Sequence, residues 1–283
     1  MIRIIFSDLD NTLADKRNIS KNNIDAINKY TSMGNLFIIT SGRSISYINK
    51  IKKGIKNIRY VIGNNGSIIY DNKGKDVIYC NLIDYENIVR LYNLCNKLDA
   101  KFIMSGIKKD FVNKNVYYNQ KIISTLDKKI VKENYVSQII IDTENKEDIL
   151  KIIDEVEKTK GITVINRSRA LYDSTYKSNN YWVNIGSVCA NKGDAVKYLC
   201  KYLNESLDNT LRVGDDLNDL PMFFEEGINV SLENGFKEVK GKANYIIPSY
   251  KKDAICYLID NIASRVNDKK NMEINLKEGI EEL

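Results

Sequence analysis

Ile2-Arg3-Ile4-Ile5-Phe6-Ser7-Asp8-Leu9-Asp10-Asn11-Thr12 stands at the head of the chain. A short apolar run, Ile2 to Phe6, delivers two acidic residues one position apart. Such a run predicts a strand that sends Asp8 and Asp10 off its C-terminal edge together. In an open α/β sheet that edge is where ligands bind, because the loops there form the crevice and the following helices point their positive ends into it. Two carboxylates crowded there repel each other. A hard divalent ion with oxygen ligands is the usual solution. Taken alone, the triplet also fits an ordinary polar turn, so the rest of the chain has to decide.

Outward from this stretch, strands and helices alternate. A helix is expected from about Lys21 to Met33 with Ser20 as its N-cap, then a strand Leu36–Thr40, a helix Ser44–Lys53 and a strand Arg59–Ile62. The loop Gly63-Asn64-Asn65-Gly66 follows, and then a hairpin, Ser67–Tyr70 with Val77–Cys80. This alternation points to a parallel sheet flanked by helices. Between about Asn81 and Gly186 the pattern changes. Helical periodicity over Tyr85–Leu98 and Lys146–Lys158 is interspersed with strand-like runs at Lys101–Met104, Val136–Ile141, Ile162–Asn166 and Tyr181–Ile185. Afterwards the first pattern resumes: a helix Lys192–Tyr202, a strand Leu211–Val213, a helix after Asn218 that includes Pro221, strands Ile228–Val230 and Tyr245–Ile247, and a helix Asp253–Ser264. The expected organisation is a core formed by residues 1–82 and 187–283 with an α/β module, residues 83–186, inserted into it. The charged tail after Asn267 is expected to fray.

Three further segments carry chemistry. Ile38-Ile39-Thr40-Ser41-Gly42-Arg43 is an apolar strand ending in a hydroxyl, a glycine and an arginine, which suits a phosphate oxygen cradled by backbone N–H groups. Asn191-Lys192-Gly193-Asp194 opens a helix, and Leu211-Arg212-Val213-Gly214-Asp215-Asp216-Leu217-Asn218-Asp219 closes a strand. In this order the four segments resemble the signature of the haloacid dehalogenase superfamily of phosphohydrolases. The long stretch before the third motif resembles its Cof-type, or IIB, sugar-phosphatase-like branch, as do the Gly63–Gly66 loop and the hairpin after it.

The resemblance implies a Rossmann-like three-layer α/β core with a parallel sheet, and a C2B-type cap that selects substrate. It also implies hydrolysis of a phosphomonoester of a small metabolite with magnesium. Asp8, first off its strand, is placed to attack phosphorus, which a carboxylate can do without prior deprotonation, giving an aspartyl phosphate. The chain has no histidine, so proton transfer near neutral pH falls to a carboxyl group, lysine, cysteine, tyrosine or water. The resemblance assigns it to Asp10. Ser41 and Lys192 would complete the catalytic set, stabilising charge on the transferring group. Leu9, Gly42, Arg43, Asn65 and Asn218 would surround phosphate and substrate, with Arg43 leaving the phosphate loop toward the cap. Asp8, the Asp10 backbone carbonyl and Asp215 would hold magnesium, which takes few carboxylates and keeps several waters. Thr12 would fix the loop, and Asp219 would orient Lys192. Two positions depart from the family pattern: Asp216, often asparagine in this branch, and Asn184, often acidic.

Length and composition agree with such an enzyme. With 283 residues and 43% hydrophobic content, the chain can fill two cores. Its 43 basic and 37 acidic residues are interspersed and leave a net charge of +6, so no basic block of the kind that tracks nucleic acid stands out. Short groups such as Lys128-Lys129 read as solvated surface. Cys80, Cys95, Cys189, Cys200 and Cys256 are odd in number and widely spaced, which predicts reduced, buried thiols. The N-terminal run is too short for a signal peptide, and no run approaches membrane-spanning length. A cytoplasmic location is expected. The aromatics Tyr117, Tyr118, Tyr172, Tyr176, Tyr181 and Trp182 could pack against a sugar ring, or simply cover a sheet face as β-formers. A phosphomutase or phosphotransferase of the same superfamily remains open, as does a phospho-receiver or degenerate binding module. The leaving group and the oligomeric state are likewise open.

Overall fold

The structure, a computed structural model, describes residues 2–116, 120–172 and 178–264. Tyr117, Tyr118, Tyr176 and the tail after Asn267 lie outside the described residues. In chain order the elements are β1 (Ile4–Ser7), α1 (Lys21–Ser32), β2 (Leu36–Thr40), α2 (Ile45–Ile51), β3 (Tyr60–Gly63), β4 (Ile68–Asp71), β5 (Asp76–Cys80) and α3 (Tyr85–Lys97). Then come β6 (Lys101–Ser105), β7 (Asp110–Val112), β8 (Gln120–Ile122), α4 (Lys128–Glu133), β9 (Gln138–Thr143), α5 (Lys146–Lys158), β10 (Ile162–Arg167) and β11 (Tyr181–Ser187). The chain continues through α6 (Lys192–Leu203), β12 (Thr210–Gly214), β13 (Ile228–Leu232), α7 (Lys237–Lys240), β14 (Tyr245–Ile247) and α8 (Ala254–Leu258).

These strands form two sheets. The first has the order β14-β13-β12-β1-β2-β3-β4-β5. Its first six members are parallel, and only β4 runs against them, paired antiparallel with β3 and, in a terminal hairpin, with β5. Both faces are covered, which is why β1 reads as an unbroken apolar run. Ile5 faces a core shared with Ile27, Tyr30, Ile48, Ile255 and Leu258, from α1, α2 and α8. Its neighbours Ile4 and Phe6 face the other side, against Val196, Leu199 and Cys200 of α6. The result is an α/β, Rossmann-like three-layer core. The chain leaves β1 for β2 on one side and returns to β12 on the other, so the strand order reverses at β1. Such a switch point opens a crevice at the carboxyl ends of the strands.

The second sheet, β10-β11-β9-β6-β7-β8, is drawn entirely from residues 101–187. It is antiparallel except for β7 with β8. On one face Phe102, Ile139, Ile141, Val183 and Ile185 bury against Ile88 and Leu91 of α3 and Ile149 and Ile152 of α5. By strand alternation the other face carries Gln138, Ile140, Asp142, Trp182 and Asn184. Tyr181 packs on the helical side and Tyr172 is exposed, so among the described aromatics only Trp182 lies on the helix-free face.

Several elements differ from expectation. The short strands β7 and β8 and the short helices α4 and α7 are too brief to show a period; Lys128 and Lys129 open α4 and are both exposed. The segment after Asp216 is a 3-10 turn, Leu217–Met222, with Pro221 inside it; proline removes a helical donor and favours so short an element. α8 gives way to a π-type turn, Ile259–Ala263. All five cysteines are free, but only Cys95 and Cys200 are buried; Cys80 and Cys189 are exposed and Cys256 is partly so. No described helix is long and apolar enough to cross a membrane.

Candidate active site

The crevice is built by the exits of β1, β2 and β12 together with the start of α6. The Asp8 N–H continues the strand by donating to the Val213 carbonyl at 2.9 Å, and its side chain, 6% exposed, enters the crevice. Lys192, the first residue of α6, is delivered by its N-cap: Asn191 accepts from the Asp194 N–H at 2.8 Å. The start of α6 lies so close to the 3-10 turn that a Cβ on Gly193 would stand 2.0 Å from the Pro221 carbonyl oxygen.

The Lys192 side chain is fully buried. Its Nζ donates to Asp8 Oδ1 at 2.7 Å and to Asp219 Oδ1 at 2.5 Å. Asp219 Oδ2 accepts from the N–H groups of Asp215 and Asp216, at 2.9 and 3.0 Å. Asp219 thus braces both the lysine and the loop after β12. Asp215 sits across from Asp8, its Oδ1 accepting from Thr12 at 2.7 Å and its Oδ2 from Asn234 at 3.3 Å. Thr12 therefore joins the first and fourth motifs, which is more than fixing its own loop.

Carboxylate oxygens of Asp8, Asp215 and Asp219 lie within 4.8 Å of one another. Burial raises Asp8 well above the usual carboxylate range; Lys192 opposes this, while Asp219, Asp215 and Asp10 add to it. Asp215 is pushed up to about 7, first by burial and then by the charge of Asp219. Burial alone would lower the Lys192 ammonium, but its two carboxylate partners hold it above the usual range. One lysine cannot neutralise three buried acids, and this donor set fits a hard cation. The oxygens that reach the crevice belong to Asp8 and Asp215, each 6% exposed, whereas Asp219 is fully buried against Lys192 and two loop N–H groups. No described residue hydrogen-bonds to Oδ2 of Asp8.

Asp10 points elsewhere. Its carboxylate takes a bidentate contact from Arg43, Nε to Oδ2 at 2.9 Å and Nη2 to Oδ1 at 3.0 Å, and the guanidinium lies 5.1 Å from the Tyr47 ring centre. The side chains are 49% exposed for Arg43 and 32% for Asp10, so this pair stands at the mouth of the crevice and is open to solvent screening. Any hold of Asp10 on a cation would fall to its backbone carbonyl. Arg43, expected to reach for substrate, is held by Asp10 instead. Leu9 turns its side chain into the core, so contact with phosphate would fall to its main chain.

The phosphate-loop candidates gather on the other side. Ser41 is fully buried and its Oγ accepts from the Arg43 N–H at 3.1 Å, which leaves the hydroxyl proton to donate. The Asn64-Asn65 pair, both left-handed with φ of 50° and 54°, folds back on this loop. The Asn64 N–H donates to the Arg43 carbonyl at 2.9 Å and that of Asn65 to the Ser41 carbonyl at 3.0 Å. A Cβ on Gly42 would stand 3.0 Å from Asn65 Oδ1. The Asn65 amide also joins Asn218, whose Nδ2 donates to its Oδ1 at 2.8 Å. Asp216 N-caps the 3-10 turn, accepting from Leu217 N–H at 2.7 Å, and Asn166 of β10 hydrogen-bonds to it. Asn184 lies opposite Asn166 and Ile140 in the second sheet.

Sequence reasoning missed the residues that the second sheet brings. Gln138 Nε2 donates to the Gly42 carbonyl at 2.9 Å and its Oε1 accepts from Asn65 Nδ2 at 2.7 Å. Ser137 accepts from Asn64 Nδ2 at 2.8 Å, and Asp110 accepts from Ser44 at 3.2 Å. Asn234 was missed as well. Each is a lone polar residue, with no spacing that marks it.

Residues 5–259 match the haloacid dehalogenase-like hydrolase family, and the chain belongs to it. Over 259 residues it is 25% identical to 5-amino-6-(5-phospho-D-ribitylamino)uracil phosphatase YcsE of Bacillus subtilis, covering 91% of this chain and 94% of that one. The fold is similar to that of a haloacid dehalogenase-like hydrolase from Bacteroides thetaiotaomicron, with a TM-score of 0.77, 18% identity, and 93% and 100% of the two chains covered. It is also similar to a HAD subclass IIB sugar phosphatase, with a TM-score of 0.70, 18% identity, and 92% and 99% covered.

Proposed function

We propose that this member of the haloacid dehalogenase-like hydrolases is a phosphatase that hydrolyses a phosphomonoester of a small metabolite, a sugar phosphate or similar compound, through an aspartyl phosphate. The observation that carries this reading is Asp8: buried at the carboxyl edge of the sheet, with Oδ1 held by Lys192 and Oδ2 without a described partner. Oδ2 attacks phosphorus in line with the leaving oxygen, the phosphorus–oxygen ester bond breaks, and the phosphoryl group rests on Asp8. Ser41 donates its hydroxyl proton to a phosphoryl oxygen, while the Lys192 ammonium offsets charge next to Asp8. Leu9, Gly42 and Asn65 line the phosphate position, and Asn218 holds Asn65. Asp219 keeps Lys192 aimed, and Thr12 and Asp216 fix the loops that carry Asp215.

Asp10 protonates the leaving oxygen and then takes a proton from the water that cleaves the aspartyl phosphate. For this it must part from Arg43, and an arriving phosphate competes for that guanidinium. A divalent cation held by Asp8, Asp215 and the Asp10 carbonyl, magnesium by its preference for few carboxylates, supplies charge that offsets the phosphoryl oxygens. Residues 1–82 and 187–283 act as the catalytic core and 83–186 as the cap that chooses the leaving group, its helix-free face carrying Trp182 and Asn184. The five free thiols fit a reducing cytoplasm.

A phosphate-release screen over phosphorylated metabolites, with and without magnesium, tests the reading. Release from at least one ester is expected, together with a phosphorylated Asp8 in acid-quenched protein. No release from any ester, or phosphate transfer only to a second hydroxyl, would overturn it.

A further inference from the structure

Three side-chain amides form a line from the fourth motif to the phosphate loop. Asn218 Nδ2 donates to Asn65 Oδ1 at 2.8 Å, Asn65 Nδ2 to Gln138 Oε1 at 2.7 Å, and Gln138 Nε2 to the Gly42 carbonyl at 2.9 Å. Asn65 and Gln138 each accept through oxygen and donate through nitrogen, and the line ends on a pure acceptor. Turning Asn65 or Gln138 around would set donor against donor at one end and acceptor against acceptor at the other, and turning Asn218 would set acceptor against acceptor, so the polarity is fixed. Gln138 and Asn65 are buried to 0% and 1% exposure, where an unpaired amide is costly. Gln138 is the first residue of β9, in the second sheet, whereas Gly42 and Asn65 flank the first.

The consequence lies in one peptide group. The Gly42 carbonyl pinned by Gln138 belongs to the Gly42–Arg43 peptide, whose N–H donates to Ser41 Oγ at 3.1 Å. A peptide is planar, so fixing its oxygen fixes its N–H. With that N–H on one lone pair, the Ser41 hydroxyl is left with its proton directed elsewhere, available to a phosphate oxygen. The same Gln138 amide holds Asn65 over Gly42.

We infer that Gln138 is a positioning residue through which the inserted segment sets the geometry of the phosphate loop, in addition to whatever that segment contributes to leaving-group choice. The inference rests on the phosphatase reading for its meaning. It does not rest on turnover for its test. A leaving-group contact would affect substrates unequally; a residue that shapes the loop affects the phosphoryl group that all of them share.

The experiment compares wild type with Gln138→Leu and Gln138→Glu. Glu keeps an oxygen for Asn65 but sets a second oxygen against the Gly42 carbonyl, separating the two contacts. Asn113→Ala serves as a control, since it removes hydrogen bonds within the inserted segment, with Phe102, Asn96 and Ala100, without touching the phosphate loop or its partners. Affinity for inorganic phosphate is measured by titration calorimetry in the presence of magnesium, and kcat/KM with nitrophenyl phosphate and with the best ester from the screen. Outer contacts of this kind are worth about 10- to 100-fold. Both Gln138 variants are expected to lose that much in phosphate affinity, and to lose kcat/KM by the same factor for both esters, while Asn113→Ala stays close to wild type. Unchanged phosphate affinity in either variant would overturn the inference, as would an equal loss in Asn113→Ala or a loss confined to one ester. If Gln138→Leu does not fold, Gln138→Glu carries the comparison. If wild type hydrolyses nothing, the phosphatase reading fails, and calorimetry still decides whether Gln138 shapes an anion site.

Discussion

The two sheets meet at the crevice and contribute to it in opposite ways. In the first, parallel strands all end on one side, so β1, β2 and β12 drop Asp8, Ser41 and Asp215 into the same space. In the second, neighbouring strands mostly run in opposite directions and their ends alternate between near and far. Only a few positions, Gln138 at the start of β9 among them, come within reach of the loops. A parallel sheet therefore gathers chemistry as short motifs at strand ends, whereas an antiparallel one offers it as isolated residues.

The largest expected effect falls on the parallel sheet. Asp8→Asn removes the attacking oxygen and should cost at least about 10⁴-fold in kcat for every ester, good leaving group or poor. Residual activity that varied with the leaving group would mean that another group attacks, and the division between the sheets would have to be redrawn. Two residues on, Asp10→Asn should depend on how basic the leaving group is. General acid catalysis contributes about 10² to 10⁴-fold, so single-turnover rates should fall by that much more for an alkyl phosphate than for nitrophenyl phosphate. Equal losses would leave Asp10 as no more than the partner of Arg43.

The cation prediction concerns the same edge and shows itself in stability. Asp215 stands at about 7 in the folded metal-free protein, against 3.8 for an ordinary aspartate. Through that window the folded state binds more protons than the unfolded chain, so the stability of metal-free protein should fall as pH rises from about 4 to 7. Excess magnesium should restore it at pH 7, and Asp215→Asn should flatten the slope and raise the magnesium needed for activity. Denaturant melts at several pH values check this. A stability that rises through the window even without metal would place the strain elsewhere.

The smallest effect belongs to the second sheet. Trp182→Ala, on the helix-free face, should reorder preference among metabolite phosphates by a few-fold to about 10-fold, the usual worth of apolar pocket contacts. The rate with nitrophenyl phosphate should hardly change. Tyr181→Ala, one residue away but packed toward the helices, should lower stability and leave the ranking alone. The reverse pattern would put the wrong face of the sheet over the crevice.

Much of the core is legible along the chain because each motif sits directly after an apolar run or before a capped helix start. Asp8, Ser41, Lys192 and Asp215 need only local pattern to be noticed, and the change of pattern between Asn81 and Gly186 marks a second sheet. The strands β7 and β8 are unreadable because three residues carry no period. The cysteines mislead for a related reason: exposure depends on which edge a strand end occupies, and Cys80 closes the outermost strand of its sheet.

What the sequence determined by itself is which acids, hydroxyl and lysine arrive at the carboxyl edge, since strand direction and capping are local matters. Only the tertiary structure decided how they are shared out. It commits both oxygens of Asp219 to Lys192 and two loop amides, turns the Asp10 carboxylate to Arg43, and brings Gln138 to Gly42 across 96 positions of chain. The physical reason is that a hydrogen bond depends on distance and direction in space. A residue's period and neighbours fix its face and its strand end, while its partner is chosen only once the two sheets have packed.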